Sequence, residues 1–425
     1  MQKVLVYSLL LVAGLVLSQI LPGVVPAGPM NVTSEIVRLA TMLALSYIMV
    51  HVGFEFDIDK SRIGSYGWDY VVAATAAAFP WIFVALYFIF VLSPSGLWSH
   101  PDLWKEKLLE SRFASPTSAG VLLSMLAAAG LGTTWVYQKA RILAIFDDLD
   151  TILLMLPLTM IMIGMKWQLG IIVLVIVALL WIAYRWLHEV RIPISWPWVL
   201  AYSAGMTVVC EAIYLGSKLI DPAVPIHLEV LLPAFALGCV IARPIASTEH
   251  DSHAADPHHD PTEQRVSMIV SAIFMLLVGL SMPAILSSGH GPDAAPATER
   301  FLKFEGASPD DLRASHANAD DLGWGWIAVH VLVITIISNV GKMFPAFCYR
   351  KEATLLQRHA LSVGMFPRGE VGAGVLLISL SYGISGASLT IAMLSLALNL
   401  VCTGLFILVV KKLLAMDADQ RGAAA

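Results

Sequence analysis

Ala144-Ile-Phe-Asp-Asp-Leu-Asp-Thr-Ile-Leu-Leu-Met-Leu-Pro157 sets three carboxylates, Asp147, Asp148 and Asp150, within four residues of an otherwise apolar run. On a helix Asp147 and Asp148 project about 100° apart, while Asp147 and Asp150 lie nearly on one face. The acids could mark a helix start at an interface, with Asp as N-cap. The apolar residues from Ile142 to Phe146 favour a helix that begins earlier and submerges them. An ionisable group inside a membrane helix is unfavourable unless paired or hydrated, so it is a functional candidate by default. Like charges this close in a low dielectric compete, so one carboxylate can trade a proton for a metal cation near neutral pH.

Composition shows that the run is a membrane helix. Of 425 residues, 58% are hydrophobic and only 13% charged, and the mean hydropathy is +0.76. Soluble domains carry about 25% charged residues, so a water-soluble globule is excluded, as are disorder and collagen. What remains is an all-α polytopic membrane protein. A hydrocarbon core of about 30 Å takes about 20 apolar residues per span. Twelve runs qualify, near 3–20, 34–55, 67–93, 114–130, 139–165, 168–186, 194–217, 225–243, 266–287, 324–346, 359–383 and 386–412. Residues 1–414 thus read as one transmembrane domain, with a His-rich loop at 244–264, a polar loop at 288–323 and a short tail at 415–425. Cys210, Cys239, Cys348 and Cys402 are too scattered for a disulfide framework or a metal site.

Basic residues set the expected orientation. With the N-terminus inside, the cytoplasmic loops receive Lys60, Arg62, Lys139, Arg141, Arg185, Arg191, Arg243, Arg265, Arg350, Lys351 and Arg358. Outer loops hold fewer, including Lys105 and Lys107, so both termini read as cytoplasmic. The rival reading of residues 1–25 is a signal peptide, which that charge pattern does not favour.

Two further clusters follow. Ser338-Asn-Val-Gly-Lys-Met-Phe-Pro345 puts Lys342 in segment ten with Asn339 on the same face; it is either a snorkelling lysine or the counter-ion of an aspartate in segment five. Phe366-Pro-Arg-Gly-Glu-Val-Gly-Ala-Gly374 sets Arg368 and Glu370 beside a proline and glycines, so segment eleven should be interrupted. Segment four has a matching proline in Ser115-Pro-Thr-Ser-Ala-Gly120, at its start. Two interrupted segments in two halves point to an inverted-repeat transporter whose broken helices cross near the midplane.

Taken in order, Val52-Gly-Phe-Glu-Phe-Asp57, Ser115-Pro-Thr-Ser-Ala119, Ala144-Ile-Phe-Asp-Asp148, Phe235-Ala-Leu-Gly238, Val278-Gly-Leu-Ser281, Gly341-Lys342 and Pro367-Arg-Gly-Glu370 resemble motifs of the cation/proton antiporter superfamily, in its sodium/hydrogen exchanger branch with paired aspartates. The resemblance spans most of the chain. It implies Asp148 as the carboxylate that binds cation and proton, Asp147 as the acid paired with Lys342, and Thr117 and Ser118 at the crossing as aids to ion hydration or ligation. It implies structural roles for Arg368 and Glu370, electrogenic exchange, a homodimer, and a cell (inner) membrane location. The mobile bundle would comprise segments 3–5 and 10–12, with a scaffold from the rest. Asp150, a third acid, and the loop at 288–323 depart from the pattern, and Asp150 and Asn339 are candidate modifiers.

The expected activity is therefore antiport of a monovalent cation, Na+ before Li+ or K+, against H+, with no bound cofactor. Alternatives are K+/H+ exchange, sodium-coupled solute symport on a related fold, and a membrane scaffold or sensor. No catalytic triad, phosphate loop or nucleic-acid patch points to an enzyme or to a nucleic-acid partner. The His-rich loop, with His250, His253, His258 and His259, reads first as a linker and second as a pH sensor or metal binder. Glu211 and His51 read as satisfied packing groups.

Overall fold

The computed structural model describes residues 2–24, 27–55, 63–163, 167–220, 230–242, 261–282, 323–381, 384 and 386–424. Residues 244–260 of the His-rich loop and the polar loop to residue 322 lie outside the described residues, as does the end of the Val52–Asp57 motif; residues 261–264 of the His-rich loop are the first turn of a helix. The described chain is nearly all helix. Its helices are α1 (Gln2–Val24), α2 (Ala27–Glu55), α3 (Ile63–Tyr87), α4 (Pro101–Glu110), α5 (Ala119–Ala128), α6 (Trp135–Ile163) and α7 (Trp167–Arg185). Then come α8 (Trp196–Ile220), α9 (Leu231–Val240), α10 (Pro261–Leu280), α11 (Trp324–Gly341), α12 (Leu355–Gly364), α13 (Glu370–Ser381) and α14 (Ala387–Ala424).

Seven of these stretches are long and apolar enough to cross a membrane, in α1, α2, α3, α8, α10, α11 and α14. They coincide with seven of the twelve expected spans. The other five fall on the charged α6, the shorter α7 and α9, and two helices broken in the middle. The result is a multi-pass membrane protein.

Segment four differs from its expectation. Its break at residues 115–118 lies between α4 and α5, with Pro116 in the middle of the element and not at its start. The sequence reading left residues 101–113 in an outer loop because Asp102, Lys105, Glu106, Lys107 and Glu110 mask the hydropathy. They form a helix with Lys107 1% exposed, because its charge is met by acids on the same helix. Helix α14, 38 residues long, continues through residues 415–424 of the tail, and Asp417 pairs with Arg421 one turn on.

The chain divides into two compact units. One comprises Met1–Met30, Gly64–Gly164 and Val278–Ala425, and so holds α1, α3–α6 and α11–α14. Within it, α14 packs against α1, α11, α12 and α13. Pro80 interrupts the hydrogen bonding of α3, and α11 crosses it there. A Cβ on Gly341 would lie 2.6 Å from the Pro80 nitrogen, so only glycine permits that approach. The second unit comprises Asn31–Ile63 and Met165–Leu277, with α7 and α8 packed on α9. Gly53 and Gly238 let α2 and α9 meet backbone to backbone. Here Glu211 pairs with Arg38 at 2.6 Å, and His51 sits edge-on to Tyr47. The four cysteines are free thiols.

Candidate ion-binding site

The first unit carries the two breaks, and prolines make them. Pro116 and Pro367 each lack an N–H and disfavour helix in the residue before. Residues 115–118 and 366–369 accordingly leave the helical path. Exposed peptide groups would be prohibitive in lipid, so each needs a partner. The breaks supply one another: Ser118 N donates to Pro367 O at 3.0 Å, and Thr117 Oγ1 donates to Met365 O at 2.9 Å. Gly369 keeps the crossing tight, since a Cβ there would lie 3.0 Å from Ser118 Oγ. Ser118 then caps α5 by accepting from Val121 N.

The residue after each proline offers its N–H to a side chain of a later helix. Thr117 N donates to Asp147 Oδ2 at 2.6 Å, 30 residues on. Arg368 N donates to Asn399 Oδ1 at 3.1 Å, 31 residues on. The two contacts are local counterparts, one ending on an acid of α6 and the other on an amide of α14.

Asp147 is fully buried, and so is Lys342, just beyond the end of α11. Lys342 Nζ lies 2.8 Å from Asp147 Oδ2 and 3.1 Å from Oδ1. Of the two sequence readings for Lys342, the geometry therefore realises the counter-ion. Both oxygens of Asp147 are thus engaged, Oδ2 by two donors. Asp148 and Asp150 are buried in the same helix, 3% and 2% exposed, so the acids are submerged and not at a surface turn.

Arg368 is buried and spreads its guanidinium over Ala114 O (2.9 Å), Ser338 O (3.1 Å) and Asn339 Oδ1 (3.0 Å). Asn339 Oδ1 also accepts from Asn399 Nδ2 at 3.1 Å. Asn339 thus serves the second break, through Arg368 and Asn399. The side chain of Glu370 lies outside the described residues.

Three participants escaped sequence reasoning. Arg112 is fully buried, donates to Asp150 O (3.1 Å) and Thr151 O (2.9 Å), and stacks 4.7 Å from the Trp81 ring. Its signal was an arginine four residues ahead of the break proline. Asn399 was visible as an amide inside an apolar run. Asp69, fully engaged by Lys139 (3.0 Å) and the Tyr349 hydroxyl (2.7 Å), ties the N-terminal ends of α3 and α6 to the α11–α12 connection. Among the described residues no group of three or more His, Cys, Asp or Glu is arranged to hold a metal ion. A cation at the aspartates of α6 would complete its shell with hydroxyls, carbonyls or water.

No family model matches the chain, and no curated protein is similar to it in sequence. Its structure is similar to that of the sodium proton antiporter MjNhaP1 from Methanocaldococcus jannaschii at pH 8, with a TM-score of 0.56 and 13% identity, over 94% of this chain and 92% of that one. At that identity the likeness is one of architecture: this chain has the fold of that sodium proton antiporter.

Proposed function

We propose that this protein exchanges a monovalent cation, Na+ first, for protons by alternating access. The observation that carries the reading is the buried Asp147–Lys342 pair, joined through Thr117 to the crossing of two broken helices and adjacent in sequence to buried Asp148. A likeness to a sodium proton antiporter supports it.

The engaged oxygens of Asp147 assign it to coupling, and Asp148 is the carboxylate we assign to the ion. Hard oxygen ligands suit Na+, and a carboxylate holds a proton or a metal ion but not both. Thr117 Oγ1, donating to Met365, keeps lone pairs that a cation can use; Ser118 lies beside it at the crossing. Exchange becomes obligatory when the site changes sides only while neutralised, since a bare charge does not cross a low-dielectric interior. Cation entry at Asp148 opens the Asp147–Lys342 pair, the bundle of α3–α6 and α11–α14 carries the site across, and protonation returns it. Lys342 gives up its own proton as the pair opens and regains it on the return, so two protons move against one cation and the exchange is electrogenic. Inverted repeats, homodimerisation, cytoplasmic termini and residence in the cell membrane belong to the same proposal.

Proteoliposomes with an internal pH dye test it. Na+, Li+ or K+ added to the wild type should dissipate an imposed proton gradient, and Asp148→Asn should abolish the response to every ion. Dissipation by K+ alone would reassign the ion while keeping the mechanism. A wild type that responds to none of the three, or an Asp148→Asn variant as active as wild type, refutes it.

A further inference from the structure

Helix α4, the first half of the first broken helix, carries a second set of buried charges. Glu106, Lys107 and Glu110 are 1%, 1% and 0% exposed. Lys107 Nζ donates to Glu106 Oε1 at 2.7 Å, to Glu110 Oε2 at 3.0 Å and to Ser388 Oγ, at the start of α14, at 2.7 Å. An ammonium has three hydrogens, so all are used. Ser388 Oγ donates its own hydrogen to Glu110 Oε2 at 3.1 Å. Glu110 Oε2 therefore accepts two hydrogen bonds, while Glu110 Oε1, buried beside it, has no hydrogen-bond partner.

The charges do not balance. Two ionised glutamates against one ammonium leave a net negative charge, and an unpaired charge away from water is removed by taking up a proton. Other ionisable groups stand on the elements around α4. Asp102 and Lys105 of α4 itself pair at 2.7 Å. On α6, Lys139 is bound to Asp69 and Asp147 to Lys342, and Arg141, Asp148 and Asp150 also lie on that helix. Arg112 is turned onto carbonyls of α6, and α13 begins with Glu370. Lys107 is the cation in hydrogen-bond contact with both glutamates.

We propose that this cluster is a proton-binding site separate from the aspartates of α6, with Glu110 carrying a resident proton on the oxygen that lacks a partner. One carboxylic acid, one carboxylate and one ammonium then make the set neutral. The proton is stored in the element that leads into the crossing. Proton release by the purified protein on alkalinisation would therefore exceed what the α6 aspartates supply.

Infrared difference spectroscopy of the full chain in lipid vesicles, read at the carbonyl stretch of a protonated carboxylic acid, tests this without using transport. At neutral pH the wild type and the Asp148→Asn/Asp150→Asn double variant should share a band that Glu110→Gln removes. Lys107→Met should raise the signal from one acid to two, because the ammonium that bonds both glutamates is gone. Ser388→Ala, a milder change, should shift the band by withdrawing a hydrogen bond from Oε2. A band untouched by Glu110→Gln, one lost in Glu106→Gln instead, or none left in the aspartate double variant overturns the assignment. An unshifted band in Ser388→Ala does the same. Failure here leaves the antiport proposal standing, and failure of antiport leaves this site.

Discussion

Breaking the Asp147–Lys342 pair from either side should destabilise the protein far more than removing it whole. Both side chains are fully buried and meet at 2.8 Å. Asp147→Asn removes the carboxylate charge, yet the amide oxygen can still accept from Thr117 N, so the loss falls on Lys342. An ammonium left buried without its counter-ion costs about 3–5 kcal/mol. Lys342→Met strands the carboxylate, which keeps the hydrogen bond from Thr117 N, and should cost a similar amount. In the double variant neither charge remains, and much of the loss should be recovered, giving a coupling of about 2–3 kcal/mol. Denaturant unfolding in mixed micelles, followed by fluorescence of the 12 tryptophans, supplies all four corners of the cycle. Single variants each within about 1 kcal/mol of wild type, or energies that add to within about 0.5 kcal/mol, would mean that the ammonium is hydrated and the pair unimportant.

Gly341→Ala places a Cβ against the Pro80 backbone, which cannot swing aside as a side chain can. It should cost about 1–3 kcal/mol in unfolding measurements and lower exchange; a variant as stable as wild type would show that the α3–α11 crossing is loose. Arg368→Lys keeps the charge but not the fork, so at least one buried acceptor among Ala114 O, Ser338 O and Asn339 Oδ1 goes unserved. A loss of about 1–3 kcal/mol per orphaned acceptor is expected, and no change in the unfolding midpoint would refute the bracing role.

The membrane class and the two breaks were legible because both follow from short-range chemistry. Hydropathy over some 20 residues marks a span, and a proline stops a helix wherever it sits. The same local reading submerged Asp147, Asp148 and Asp150 and singled out Lys342. It failed at α4, where five charged residues in ten imitate a loop. Only the paired burial of Glu106, Lys107 and Glu110 turns that stretch into an interior helix. It failed again at Arg112, whose partners are carbonyls of α6 and the ring of Trp81.

By itself the sequence determined that this chain lives in lipid, that its helices are broken twice, and that acids and a lysine lie below the surface. Tertiary structure decided which groups meet: Lys342 with Asp147 across 195 residues, Thr117 with Met365 across 248, and Arg368 with Ala114 across 254. Helix propensity and hydropathy act over a few turns, so they say where a charge is buried. A buried charge needs a partner a few ångströms away in space, and chain folding alone brings that partner there.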